Sequence, residues 1–227
     1  MKHLARISAF LPLAVTLVWL QFLPDRVPMH YDFNGNIDRW GSKWENLLLP
    51  GIVLLMGLIF LLTEKLGSRE AAGDEKNSAH AASNRKVLRI IMIATALFFT
   101  VLQAVLLYGA GRAAANGAAQ SELPLNRVTV ICLGLMILVL GNYMPRAKLN
   151  STVGFRCGWT MHSDVTWQRS NRFSGYAMMA TGALSVIAAL LVPDAWTLPL
   201  FFGFLTLSVI LSLLYARRVY REEIEKE

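Results

Sequence analysis

Six long apolar runs without a charged residue interrupt this chain, roughly Ile7–Leu23, Leu47–Leu62, Ile90–Gly109, Val128–Asn142, Phe173–Val192 and Leu198–Tyr215. An α-helix rises about 1.5 Å per residue, so crossing a hydrocarbon core of about 30 Å takes about 20 largely apolar residues. The second and fourth runs are short, and flanking Lys65, Arg127 and Arg146 can lengthen them by snorkelling. In lipid every backbone N–H and C=O needs an internal partner, which leaves helices or closed barrels. The alternating pattern of a membrane barrel is absent. Composition agrees: 55% of the residues are hydrophobic and 16% charged, against about a quarter charged in soluble domains. The expected fold is all-α, a polytopic membrane bundle of six transmembrane helices. Lys2 and Arg6 give the first run the basic front of a signal peptide. It ends in Gln-Phe-Leu-Pro with no small-residue cleavage site, so it reads as a retained span.

Lys and Arg counts orient the bundle. Under a six-span scheme, 17 of them fall on the side of both termini and the second and fourth loops, and five fall opposite. That asymmetry places both ends in the cytoplasm, N-in and C-in. Much of the net charge of +7 records this topology and suits anionic lipid at the inner surface. No basic stripe stands apart from the spans, so direct nucleic-acid binding is not expected. Cys132 falls within a span and Cys157 in a loop, which reads as two unpaired thiols.

Three regions follow: residues 1–64 as a two-helix unit with an external polar cap at 24–45, a cytoplasmic linker at 65–86, and a four-helix region at 87–227. In the cap, Pro24 and Pro28 stop the first helix and Asn34-Gly35 signals a turn. Tyr31, Phe33, Ile37 and Trp40 supply apolar mass, and Asp25, Asp32 and Asp38 can pair with Arg26, Arg39 and Lys43. His30 and Asp32 are two apart, so an extended backbone points both the same way. With Asp38 they compose a candidate metal site, and Ser42, His30 and one of the loop's aspartates compose a candidate hydrolase triad; either would make a membrane-surface enzyme, the alternative to a binding protein. His30, Asp32, Asp38, Trp40 and Lys43 are the external ligand candidates. A transporter is disfavoured because Gln21, Gln103 and Asn142 are the main polar groups in the spans; Gln103 suits a bond between helices.

The fourth loop, within 145–172, follows Pro145. Asn150, Gly154 and Gly158 mark turns, and Ser163 or Thr160 can cap a helix leading into the fifth span. Here Asn150, Arg156, Trp159, Trp167 and Arg172 are the candidates for meeting a cytoplasmic partner or lipid headgroups. The third loop, rich in Ala and Gly, shows no chemistry. The C-terminal tail continues the last helix, with Glu222 and Lys226 spaced as an i,i+4 pair.

Both polar segments carry a family resemblance. The Leu-Pro…Val-Pro-x-His-Tyr-Asp…Asp-Arg-Trp-Gly-Ser-Lys run ending at Lys43 resembles the N-terminal domain of the SdpI family. The run Gly-Asn-Tyr-Met-Pro-Arg…Val-Gly-Phe-Arg…Trp-Thr from Gly141 is similar to that family's other signature. Where members commonly show Arg-Thr-Pro-Trp this chain has Arg156-Cys157-Gly158-Trp159, and where they often show Thr-His-Arg it has Ser170-Asn171-Arg172. The resemblance implies a multi-pass protein of the bacterial plasma membrane that gives immunity to a secreted peptide toxin. It further implies a cytoplasmic repressor as partner; it implies no cofactor.

Overall fold

The computed structural model describes residues 2–32, 34–70 and 75–226, excepting the side chains of residues 2, 67–70 and 75–78. Phe33 and the middle of the expected 65–86 linker therefore lie outside the described residues. The elements run α1 (Lys2–Ser8), α2 (Leu11–Trp19), β1 (Arg26–Tyr31), β2 (Ile37–Ser42), α3 (Leu48–Glu70), α4 (Glu75–Asn116), α5 (Leu125–Tyr143), α6 (Asp164–Leu191) and α7 (Asp194–Ile224). Single 3₁₀ turns lead into α3 and follow α5.

Among the described residues, five helices are long and apolar enough to cross a membrane, and α1–α2 form a shorter apolar segment. Only 17–33% of the apolar windows of those five is buried within the chain. A soluble fold would hide such faces; lipid solvates them. The first apolar run is thus not the single helix expected. Pro12, at the start of α2, brings no N–H and its ring opposes the carbonyl four residues back, at Ser8. The chain breaks there: the Phe10 N–H turns to Ile7 O at 3.0 Å, and the Ser8 hydroxyl donates to Ala5 O. The described parts of the 65–86 linker are helical, continuing α3 and opening α4. At about 1.5 Å per residue, the 42 residues of α4 reach about 63 Å, well beyond a hydrocarbon core.

Two packing units meet along α4. On one side α1, α2, α3 and β1 pack onto it, through Leu20, Leu23, Val27, Leu107 and Ala110 near the hairpin and through Ala5, Ala9 and Met92 deeper in. Gln103, 2% exposed, ties these pieces together: its amide donates to Thr16 Oγ1 and to Asn46 O, both at 3.0 Å. Gln103→Leu is expected to loosen the α2–α4 contact by about 1 kcal/mol, read as an earlier unfolding midpoint on titration from mild detergent into a denaturing one.

On the other side α5, α6 and α7 enclose Val130, Ile137, Ala189 and Phe201. Here α5 and α6 approach at backbone contact. A Cβ on Gly182 would lie 2.5 Å from the Gly134 carbonyl oxygen, and one on Gly141 2.7 Å from that of Gly175. The seven-residue spacing on each helix keeps the glycines on one face, the arrangement small residues permit in membranes.

The bundle has two ends. The hairpin, the 117–124 connection and the α6–α7 turn gather at one, where the Ile37 N–H bonds Ala119 O at 2.9 Å and the Arg127 N–H bonds Asp194 Oδ1 at 2.8 Å. The start of α4, the 147–163 loop and the end of α7 gather at the other, with the Ser83 hydroxyl on Arg146 O and the Arg169 guanidinium on Glu222. Glu222 also takes Arg218 at 2.8 Å, so the acid serves a bridge between α6 and α7 instead of the expected pair with Lys226. Cys132 and Cys157 are both free.

Candidate functional site

Each end presents a built polar structure. At the hairpin end, β1 and β2 pair antiparallel, with Arg26 opposite Ser42 and Tyr31 opposite Ile37. The register slips at Met29 and again at Asp38, one extra residue on each strand. A bulge re-aims a side chain, and Asp38 so displaced meets His30: Nδ1 to Oδ1 is 2.6 Å, with both side chains largely exposed.

Asp32 has a different occupation. It leaves β1, and its Oδ1 accepts the backbone N–H groups of Asn34 and Asn36, each at 2.8 Å, while Oδ2 accepts the Asn36 amide. Gly35 completes the turn with φ +83°, a conformation side chains rarely adopt. These bonds, that from the Asn36 side chain foremost, hold the Asp32 carboxyl below its ordinary range. A depressed folded pKa stabilises the turn fully above the unfolded value, about 3.9, and that contribution fades as pH falls through the folded one. Acid titration should therefore leave the Asn34 and Asn36 amide shifts unchanged down to about pH 4 and move them together below it; in Asp32→Asn the step should vanish.

The expected His30–Asp32–Asp38 convergence is thus only a pair, because Asp32 is turned into its own loop. No group of three His, Cys, Asp or Glu able to hold a metal occurs among the described residues. Ser42 caps the 3₁₀ turn in a capping box with Glu45, whose carboxylate accepts the Ser42 N–H and the Arg39 guanidinium, each at 2.8 Å. That use removes Ser42 from the composed triad. Lys43 folds back on Leu23 O at 3.1 Å and Asp25 at 3.2 Å. Trp40 stands on exposed β2, with Trp44 exposed beyond it.

The 117–124 connection, which carried no signal in the sequence, is fastened to this hairpin. Besides the Ile37–Ala119 bond, the Ser121 N–H donates to Gly35 O at 2.7 Å and the Gln120 amide to Asn36 Oδ1 at 2.6 Å. Glu122 accepts from the Asn116 amide and from Arg112, which pull its carboxyl below the ordinary range. Beneath the hairpin and this latch lies a cavity of about 750 Å³.

At the opposite end, the 147–163 loop wraps around α6. Ser163 caps α6 in a capping box with Thr166. Trp167 is 1% exposed and its indole N–H donates to Ala147 O at 2.8 Å, amid Val87, Leu88 and Val153. This corrects the reading of Trp167 as a surface contact: an indole over an apolar floor with a carbonyl in reach is better satisfied inside. Asn150 is likewise internal bracing, its Oδ1 accepting the N–H groups of Thr152 and Val153 and its amide donating to Lys148 O. Asn171, fully buried and missed as a site residue, accepts the Phe155 N–H at 2.7 Å and donates to Trp167 O at 3.1 Å. Gly154, at φ +130°, lies against Asn171 and the Trp167 ring, where a Cβ would have 2.7 Å to either.

Arg156 and Arg172 are exposed and Trp159 half-buried, so they form the outward face of this end. Arg172 also lies over the Tyr176 ring. The start of α4 reaches the same loop, since the Lys148 N–H bonds Asn84 Oδ1 at 2.8 Å. Glu64 of α3 and Arg89 of α4 form a partly buried ion pair nearby. Two opposite charges just past the ends of neighbouring apolar runs were the available signal for it.

Residues 7–54, holding the hairpin, match the domain of unknown function DUF1648. Residues 146–216, holding the wrapped loop, α6 and most of α7, match the SdpI/YfhL protein family. A relative from Archaeoglobus fulgidus, described as an uncharacterized protein, is 37% identical over 60 residues, 24% of this chain. The match spans 33% of that relative's length. No solved structure matches the chain. With a DUF1648 segment preceding a segment that matches the SdpI/YfhL protein family, the chain is a multi-pass membrane protein whose residues 146–216 are similar to that family.

Proposed function

We propose that this protein confers immunity to a secreted antimicrobial peptide at the bacterial plasma membrane and relays the encounter inward. In this reading the hairpin end faces outward and meets the peptide, and the 147–163 loop faces the cytoplasm and a regulator. The α1–α2 segment completes a sixth crossing with both termini inside, in keeping with the 17-to-5 division of Lys and Arg. The observation that carries the reading is α4. One helix holds the hairpin unit through Gln103, and at the opposite end it holds the turn after α5 through Ser83 and the loop through Asn84. A ligand shifts such a device only by preferring one of two arrangements of its helices, and a continuous α4 makes each end feel the other.

The test is survival. A sensitive bacterium expressing the chain is challenged with a panel of secreted antimicrobial peptides. Protection against at least one is expected, and His30→Ala, Asp32→Ala and Trp40→Ala should lose it while remaining inserted. Unchanged killing across the panel with protein at full level would overturn the reading; full protection by all three variants would remove the hairpin as the sensor.

A further inference from the structure

We infer that the cavity beneath the hairpin is a binding site for a cationic amphipathic peptide segment, one that joins an amine or guanidinium to aliphatic side chains. At about 750 Å³ it falls within the roughly 300–1,000 Å³ of small-ligand sites. Its lining is divided. Leu48 and Leu49 of α3, Leu106 and Ala110 of α4, and Leu123 form an apolar wall. Asp32, Glu45, Glu122 and Asp194 bring four carboxylates to the remainder, against Arg39 and His30. In a chain of net charge +7, this concentration of acid is opposite to the overall balance. Glu45 is paired with Arg39, Glu122 with Arg112 and His30 with Asp38, so the negative balance of the rim falls to Asp32 and Asp194.

The division matches the environment. The apolar wall is built from the hairpin-proximal turns of α3 and α4, so an aliphatic side chain entering there stays out of water. A cation attached to it lies among carboxylates held in place by Ser42, Arg39, Arg112, Asn116 and the Arg127 N–H. Fixed acceptors cost little reorganisation when a cation arrives. The lining also draws on both family segments: Asp32 and Glu45 lie within residues 7–54, and Asp194 within 146–216. A ligand here touches both units at once. The inference deepens the reading of the hairpin as the end that meets a peptide.

Binding is measured on the full chain in phosphatidylcholine nanodiscs, by calorimetric titration with a tetrapeptide amide of alternating lysine and leucine. Its glutamate–leucine counterpart serves as the control. Saturable one-to-one binding of the lysine peptide alone is expected, weakening as salt screens the charges. Glu122→Gln with Asp194→Asn should weaken it about tenfold. Since these acids also brace the fold, Leu106→Trp is the second variant: it fills the cavity from the apolar wall, leaves every carboxylate, and should abolish binding. Equal binding of both peptides, or binding unaltered by Leu106→Trp, overturns the site. A chain that protects cells yet binds neither peptide keeps the immunity reading and loses this one; binding without protection does the reverse.

Discussion

Gly182→Val is expected to prevent recovery of folded protein, and Gly182→Ala to cost about 3 kcal/mol. The new Cβ would sit 2.5 Å from the Gly134 carbonyl oxygen and 3.0 Å from the Leu138 nitrogen. Both obstacles are backbone, so no rotamer change relieves them and α5 must move away from α6. Separation would strip contact along the whole glycine face, which includes the 2.7 Å approach at Gly141 and Gly175. Gly203→Ala on α7 is the matched control: nothing lies within 4 Å of the added carbon. It should be neutral or gain up to about 1 kcal/mol from helix propensity. Monodisperse yield after detergent extraction reads the first effect, and the unfolding midpoint the second.

Trp167→Ala is expected to cost about 3–5 kcal/mol and to release the loop that wraps α6. The side chain is 1% exposed, fills the space among Val87, Leu88, Ala147 and Val153, and satisfies Ala147 O. Its ring also floors the Gly154 turn. Trp167→Phe separates the two roles: it keeps most of the packing and leaves the Ala147 carbonyl unpaired, for about 1–3 kcal/mol. Limited proteolysis of the detergent-solubilised protein should cut the 147–163 loop fastest in Trp167→Ala, more slowly in Trp167→Phe and slowest in the parent. Equal cutting of all three would mean that Trp167 does not hold the loop.

These positions show what the sequence could carry. Uncharged apolar runs are read directly from composition, so the long membrane helices were legible. The break at Pro12 was not read from the run, which looks unbroken by hydropathy, although a proline removes a bond wherever it falls. Glycines seven apart on two neighbouring spans were visible as spacing; that they face each other is a tertiary fact. Trp167 and Trp40 look alike in sequence, each an aromatic amid polar residues. Only the fold shows that one lies under a loop and the other on a strand. The same holds for Asp32, where alternation predicted a partner for His30 and a turn made by Asn34, Gly35 and Asn36 took its oxygens. The fastening of the hairpin by Ala119, Gln120 and Ser121 left no trace, because two of its bonds are main-chain and the third joins two side-chain amides 84 residues apart.

The proposed sidedness, with the hairpin outside and the wrapped loop within, is tested most directly by thiol labelling. An Asp38→Cys variant adds one exposed thiol at the hairpin to the native Cys157 of the loop. With a membrane-impermeant maleimide, the account predicts labelling at position 38 in intact cells and at Cys157 only after permeabilisation. Labelling of Cys157 in intact cells would contradict it.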